Sequence, residues 1–308
     1  MADIVVVGSC VQDLTSYTPR FPKPGESVRG SRFATGHGGK GANQAVMAAL
    51  LGGKVAMVGM VGDDIFGPST IENFRSRAIN TDHMNITKTS STATATITVC
   101  ESGQNSIVVV LGANEELSSD HVAKAESLIS EAKILICQLE IPQESSLTAM
   151  KLAKKHGVPV LFNPAPGIPG MDKRLIEYAD FICPNENEAE ILTGLSLETV
   201  EDSRKILAKL LEMGAKTAII TLGDKGCVFG SQNSPEAKHT ECPKVKATDT
   251  TGAGDAFVGT LAYFMVYHSE LSLEEKIRRA STVASASVQH PGTQTSYPTK
   301  ENLDPSLF

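Results

Sequence analysis

A chain of 308 residues, 41% of them hydrophobic and 20% charged, has the composition of a folded globular protein, which excludes a disordered or fibrous one. Its formal net charge of -7 argues against a general nucleic-acid binder or an anionic-membrane binder, although a local nest of N–H groups or a metal can still hold an anionic ligand. No apolar run is long enough to span a bilayer, and none of the six cysteines (Cys10, Cys100, Cys137, Cys183, Cys227, Cys242) forms a C-x-x-C pair, so reduced, partly buried thiols are expected.

In chain order, Ile4–Gly8 is a short apolar run closed by glycine, the pattern of a buried parallel strand. No basic region precedes it, so no signal peptide is expected; the expected location is the cytoplasm, with nuclear presence in a eukaryote left open. Tyr17–Gly30 contains Pro19, Pro22, Pro24 and Gly25 and turns repeatedly. Gly38-Gly-Lys-Gly-Ala-Asn43 leads into a helix over Gln44–Leu51, and Val55–Val61 reads as a strand. Asp63 or Asp64 caps a helix over Gly67–Ala78. Ala93, Ala95, Ile97 and Val99 alternate with Thr94, Thr96 and Thr98, which predicts a half-buried strand; Glu101–Asn105 turns and Ile107–Leu111 returns. With strand material from about Thr15 to Phe33, this hairpin is read as a small sheet projecting from the main domain.

From Ser118 onward helix and strand alternate. Helices are predicted over Asp120–Ala132, Glu144–His156, Asp172–Tyr178, Glu186–Thr193, Val200–Met213, Ala256–Tyr267 and Glu274–Gln289, and strands over Ile134–Gln138, Val158–Phe162, Phe181–Cys183 and Thr217–Leu222. The expected fold is therefore α/β: a doubly wound, mostly parallel sheet with helices on both faces, plus the small sheet. Ligands bind beyond the carboxyl ends of such strands, where Gln138-Leu-Glu140, Asn163-Pro-Ala-Pro166, Asn185, Thr221-Leu-Gly223 and Asp249 all fall.

The densest chemistry lies in Asp249-Thr-Thr-Gly-Ala-Gly-Asp255, just ahead of an apolar helix. Gly252, Ala253 and Gly254 carry almost no side chain, so a ligand can approach their N–H groups at the positive end of the helix dipole. A carboxylate beside a phosphate needs a task, and Asp255 suits that of taking a proton from a hydroxyl attacking phosphorus. Read alone, the stretch is equally a glycine-rich turn with Asp capping a helix. Gly38-Gly-Lys-Gly-Ala-Asn43 is not a Walker A loop, and Val7-Gly-Ser-Cys-Val-Gln-Asp13 lacks the dinucleotide fingerprint; Gly38, Gly39, Lys40 and Asn43 offer backbone access and donors, or simply a turn before a helix. Asn185 and Glu188 share one helix face and suit either a hydrated Mg²⁺ beside phosphate or plain capping. Thr221–Gly226 is either a hairpin turn or a cradle for phosphates, and Glu140 either accepts from a sugar hydroxyl or caps a helix.

Taken in order, G-G-K-G-A-N-Q-A, Q-L-E, N-P-A-P, P-N-E-x-E-A-E-I-L-T-G, T-L-G-x-x-G, D-T-T-G-A-G-D and G-T-Q-x-S resemble the ribokinase family of ATP-dependent sugar kinases, over nearly the whole chain from Val5 to about Pro298. The resemblance implies a single domain over 1–308 with lid segments at about 15–36 and 92–112. It implies ATP-dependent phosphorylation of D-ribose at O5, with Asp255 as general base and Gly252, Ala253 and Gly254 as the anion hole. Asp13, Gly38, Gly39, Lys40, Asn43 and Glu140 would bind the sugar. Asn185, Glu188, Thr221, Gly223, Asp224, Lys225, Gly226, Gly254 and Ser281 would serve ATP, with Mg²⁺ held through water by Glu188. A monovalent cation, usually K⁺, would sit among Asp249, Thr251, Ser287, His290, Gly292 and Ser296. The small sheet would be a lid over the sugar and the surface of a homodimer, covered through Ala93, Ala95, Ile97 and Val99. Two positions depart from the family pattern: Val11 stands where bacterial members usually have Asn, and Ser281 where many have Asn near the adenine. The alternatives are a sibling kinase for another sugar or a nucleoside, and a catalytically silent sugar- or nucleotide-binding sensor. A dinucleotide oxidoreductase fails on the missing fingerprint, and neither nucleic acid nor membrane is an expected partner.

Overall fold

The computed structural model describes all residues 1–308. Its elements begin with β1 (Ile4–Val7), β2 (Val11–Thr18), β3 (Arg32–Gly38), α1 (Lys40–Leu50), β4 (Val55–Gly62), α2 (Phe66–Arg75), β5 (Asn80–Thr87), β6 (Thr94–Cys100) and β7 (Asn105–Val110). The regular alternation follows: α3 (Ser119–Ala123), α4 (Glu126–Ser130), β8 (Ile134–Cys137), α5 (Gln143–Lys155), β9 (Val160–Phe162), α6 (Arg174–Tyr178), β10 (Phe181–Ile182), α7 (Glu186–Thr193), α8 (Val200–Glu212) and β11 (Thr217–Thr221). The chain closes with β12 (Cys227–Ser231), β13 (Ser234–Thr240), α9 (Ala253–Tyr267) and α10 (Leu273–Ser287).

One nine-stranded sheet runs in the order β13-β12-β11-β10-β9-β8-β1-β4-β5, parallel except at the β11-β12-β13 edge. Its central strand explains the two-sided build. All four residues of β1 are fully buried, but Val5 and Val7 pack with Leu147, Met150, Leu175 and Ile206 on one side. Ile4 and Val6 pack with Val46, Phe74, Phe264 and Ile277 on the other. A strand covered by helices on both faces has no solvent side, so its sequence is a continuous apolar run. Each such buried Leu, Ile, Val or Phe contributes roughly 1.5–3 kcal/mol, which holds the layers together.

The expected doubly wound fold is present, with local differences. The helix expected over 120–132 is two short ones, because Ala125 N–H turns to Val122 O at 2.9 Å in a tighter bond that breaks the α ladder. β5 was not foreseen: it is a mostly polar edge strand, and none of its residues is fully buried. β13 carries Pro235, which a sheet edge tolerates. α9 begins at Ala253, not Ala256, so Asp255 belongs to its first turn.

The second sheet has the order β3-β2-β6-β7, with β2 and β6 parallel. Its register sets Asp13 beside Ala95, and Ala95 beside Val109, all on one face. That face was expected to need an outside cover over Ala93 and Ala95. Both are instead buried within the chain, together with Val11. The exposed apolar residues are Phe33 and the Ile107–Val110 run of β7.

Candidate active site

β1 and β8 are neighbours, and the chain winds outward from them in opposite directions, to β4 on one side and β9 on the other. This switch point opens a crevice at the carboxyl ends of the strands. Gly8, Gln138, Glu140, Asn163, Asn185 and Thr221 gather there, and α1 and α9 both start there.

Gly252 is the N-cap of α9 with φ 76°, a backbone region that suits glycine, and a Cβ would stand 2.4 Å from the Thr293 side chain. No side chain caps the helix. The Ala253 N–H donates to Thr250 O at 3.2 Å, whereas those of Gly252, Gly254 and Asp255 have no acceptor in the chain. Of the three residues expected to form an anion hole, Gly252 and Gly254 keep unpaired amides and Ala253 does not, while the neighbouring Asp255 amide is unpaired as well. α9 packs closely on α1, since Gly259 leaves room where a Cβ would meet Gln44 O at 2.5 Å. That approach brings the Asp255 carboxylate, which is buried, against two amides. Asn43 Nδ2 donates to Oδ2 at 2.8 Å and Gln44 Nε2 to Oδ1 at 2.9 Å.

Lys40 lines a pocket of about 130 Å³ together with Asn163, Asn185, Glu188, Thr221, Gly252, Gly254 and Asp255. Burial pushes the Lys40 ammonium down, but Asp255, Glu140 and Glu188 outweigh it and raise it above its ordinary value, so it stays charged. Glu140 Oε2 accepts the Lys40 backbone N–H at 2.8 Å and the Ser9 hydroxyl at 2.6 Å. It thus caps α1 rather than α5, the helix that follows it in sequence. Asp13 lies against Gly38, whose Cβ would stand 2.6 Å from Asp13 Oδ2. Burial and then the charge of Glu140 push the Asp13 carboxyl up to about 6. Gly39, with φ 90°, caps α1 beside Cys10 and Val11. Val11 is buried with Ala93 and Ala95 and presents no polar group.

The pocket shares Asn185, Thr221 and Gly254 with a larger cleft of about 360 Å³. Gly223, Asp224, Gly226, Phe257 and Ser281 line it, as does the Cys242–Ala247 segment. Lys225, expected with its loop, does not; its carbonyl accepts from His239 Nε2 at 2.7 Å. Asn185 and Glu188 form a reciprocal capping box, each side chain accepting the other's backbone N–H at 2.9 Å. Capping does not exhaust Glu188. Its carboxylate is buried on the pocket wall, raised by burial against the opposing pull of the Asn185 N–H and Lys40.

Of the residues expected around a monovalent cation, Asp249, Thr251 and Gly292 are joined directly, and Ser287, His290 and Ser296 lie in the segments next to them. Asp249 Oδ1 accepts from Thr251 N–H at 3.0 Å and Thr251 Oγ1 at 2.7 Å, and Oδ2 from Gly292 N–H at 2.9 Å. Asp249 N–H reaches Val288 O, and His290 N–H reaches Ser287 O. Ser287 and Ser296 turn their hydroxyls onto the carbonyls of Ala284 and Thr293. Loops rich in carbonyl oxygens with one carboxylate suit a weakly hydrated monovalent ion. No group of three His, Cys, Asp or Glu is placed to hold a metal ion by protein ligands alone.

Sequence reasoning assigned no role to Gln44, Gln138, Asn163 or Gln294. Gln44 holds Asp255, Asn163 and Gln138, while Gln294 Nε2 donates to Asn43 Oδ1 at 3.0 Å. The available signal was their place inside the quoted motifs. The Cys242–Ala247 segment carried no signal.

Residues 1–300 match the model of the pfkB family carbohydrate kinases. The chain is 49% identical to the ribokinase of Mus musculus over 307 residues, covering 100% of this chain and 95% of that protein. It is 39% identical to the deoxyribokinase of Salmonella typhi over 305 residues, covering 99% and 98%. The ribokinase of Arabidopsis thaliana, solved with ribose and ATP, superposes with a TM-score of 0.89 at 32% identity, covering 98% and 97%.

Proposed function

The chain belongs to the pfkB family of carbohydrate kinases, and on that premise we propose that it transfers the γ-phosphoryl group of ATP to O5 of D-ribose, giving D-ribose 5-phosphate and ADP. One observation carries the reading: a buried carboxylate, Asp255, stands at the N-terminus of α9 among unpaired N–H groups, in one pocket with Lys40 and Glu188. Ribose as acceptor draws support from the mouse ribokinase and from the Arabidopsis complex.

In this reading Asp255 takes the O5–H proton as the sugar oxygen attacks the γ-phosphorus and the bond to ADP breaks. The N–H groups of Gly252, Gly254 and Asp255, the dipole of α9 and Lys40 stabilise charge on the transferring group. Asp13, Gly38, Gly39, Asn43 and Glu140 border the sugar. Thr221, Gly223, Asp224, Gly226, Asn185 and Ser281 border the nucleotide. Mg²⁺, held through water by Glu188, supplies neutralisation of phosphate charge when bound, and K⁺ is held by the Asp249, Thr251, Ser287, His290, Gly292 and Ser296 loops. The small sheet is a lid that closes over the sugar and excludes water, within a single domain, and its outer face joins two copies in a homodimer.

A coupled ADP-release assay tests this by comparing kcat/KM for ribose, 2-deoxyribose, fructose and adenosine. Ribose is expected to lead. The Salmonella deoxyribokinase gives 2-deoxyribose a specific claim, and a clear lead for it moves the assignment there. Fructose or adenosine in front overturns it, as does the absence of any ADP release.

A further inference from the structure

Gln138 is fully buried just past β8, and its side chain makes a single hydrogen bond, from Nε2 to Gln44 Oε1 at 2.7 Å. Its own Oε1 has no partner. A buried amide oxygen without a donor is destabilising, so the packing of an apolar core gives no reason for a glutamine here. The surrounding backbone nevertheless makes space for it. A Cβ on Gly8, at the end of β1, would stand 2.1 Å from that oxygen.

The value of the bond lies in Gln44. Its Nε2 donates to Asp255 Oδ1 at 2.9 Å and to Asn163 Oδ1 at 3.0 Å, while its Oε1 receives Gln138. A reversed Gln44 amide would set its oxygen against a carboxylate and a carbonyl, and its NH₂ against the NH₂ of Gln138. In the observed orientation every atom of the Gln44 amide head is paired: its NH₂ donates to Asp255 and Asn163, and Gln138 supplies the donor to its Oε1.

We propose that Gln138 is a positioning residue for phosphoryl transfer: without touching either reactant, it fixes the Gln44 amide so that its NH₂ holds the Asp255 carboxylate facing the pocket. The proposal rests on the reading of Asp255 as the base.

Full-length Gln138→Met, Gln138→Glu and Asp255→Asn are compared for kcat, for KM of sugar and ATP, and for melting temperature. Methionine fills the site without a donor, leaves Gln44 Oε1 unpaired and loosens the hold on that amide. Its kcat is expected to fall about tenfold, since small misplacements at a reacting centre cost at least that much, with both KM values within about twofold. Its melting temperature stays close to the parent's, because the orphaned Gln138 oxygen is exchanged for an unpaired Gln44 Oε1. Glutamate offers Gln44 an acceptor in place of a donor and so favours the wrong orientation; its kcat is expected to fall further, about a hundredfold. A merely structural Gln138 would not give this order of Met above Glu at unchanged KM. Gln138→Met with kcat within twofold of the parent, beside an inactive Asp255→Asn, overturns this inference alone. Active Asp255→Asn overturns the reading beneath it. Failure of both Gln138 variants to fold also overturns the inference, because a residue that acts only on orientation is dispensable for folding.

Discussion

Asp249 and Gly292 are joined by a carboxylate-to-amide hydrogen bond of 2.9 Å, which ties the loop ahead of α9 to the loop behind α10. Burial raises the Asp249 carboxyl, but bonds from Thr251 and Gly292 outweigh it and hold it below its ordinary value. It therefore stays charged at neutral pH, and its contribution to stability is lost as pH falls through that lowered value. Replacing it by Ala is expected to cost about 1–2 kcal/mol through bonds to a charged group, seen as a lower melting temperature at pH 7. Replacing it by Asn tests the cation. The parent enzyme should run several-fold faster in K⁺ than in Na⁺-only buffer, and Asp249→Asn should need about tenfold more K⁺ for half-activation, on the scale of one lost charge contact. Equal parent rates in the two salts would remove K⁺ from the reading.

Asp13 behaves in the opposite sense. Its carboxyl is pushed up to about 6 from 3.8, by burial and then by Glu140. Between those values the folded state binds more protons than the unfolded state, so stability falls as pH rises from about 4 to about 6. Asp13→Asn removes the buried charge. The variant should melt a few degrees above the parent at pH 8, a gain of at most about 2–3 kcal/mol, and the gain should vanish near pH 4. Sugar KM should rise at least about tenfold, from the loss of a charged acceptor. A stability difference independent of pH would show that Asp13 is not strained by its charge.

What the sequence revealed follows from how local each signal is. β1 and the strands beside it are legible because burial on both faces forces continuous apolar runs. Asp255 is legible because its glycines and its helix are contiguous with it. The Gln138-Gln44-Asp255 chain is not, because an amide head group carries no periodicity and its partners come from β8, α1 and α9. The capping of α1 by Glu140 is hidden for the same reason: its bond partner is the first amide of α1, distant in sequence. β5 escaped because a half-covered polar edge strand such as Asn80–Thr87 has neither a full apolar run nor clean alternation.

Glu188 separates capping from metal chemistry. Gln at this position can still accept the Asn185 N–H and keep the capping box, while losing the charge that faces Lys40. Glu188→Gln should melt within about one degree of the parent, a change below about 1 kcal/mol. It should require about tenfold more Mg²⁺ for half-maximal ADP release at fixed ATP, because hydrated Mg²⁺ is held through one or two carboxylates together with the phosphates of its ligand. An unchanged Mg²⁺ titration would leave Glu188 a helix cap only.

The two faces of the small sheet make separable predictions. Asp13, Ala95, Ile97, Ile107 and Val109 share one face by register, and Leu14, Phe33, Thr96, Val108 and Val110 share the other. Val108 is 63% exposed and Phe33 62%. β7, Asn105–Val110, is an edge strand without a single charged residue, the kind of edge that a soluble chain ordinarily blunts or covers. If a second copy is the cover, light scattering of the parent at micromolar concentration gives twice the chain mass. Val108→Lys combined with Val110→Lys should return it to the mass of one chain, because two buried charges without partners cost several kcal/mol. Val109→Lys, on the face that carries Asp13, should instead raise the sugar KM while a face-two contact persists. A parent that runs as a monomer would reject the homodimer and leave the lid to close over the sugar from one chain alone.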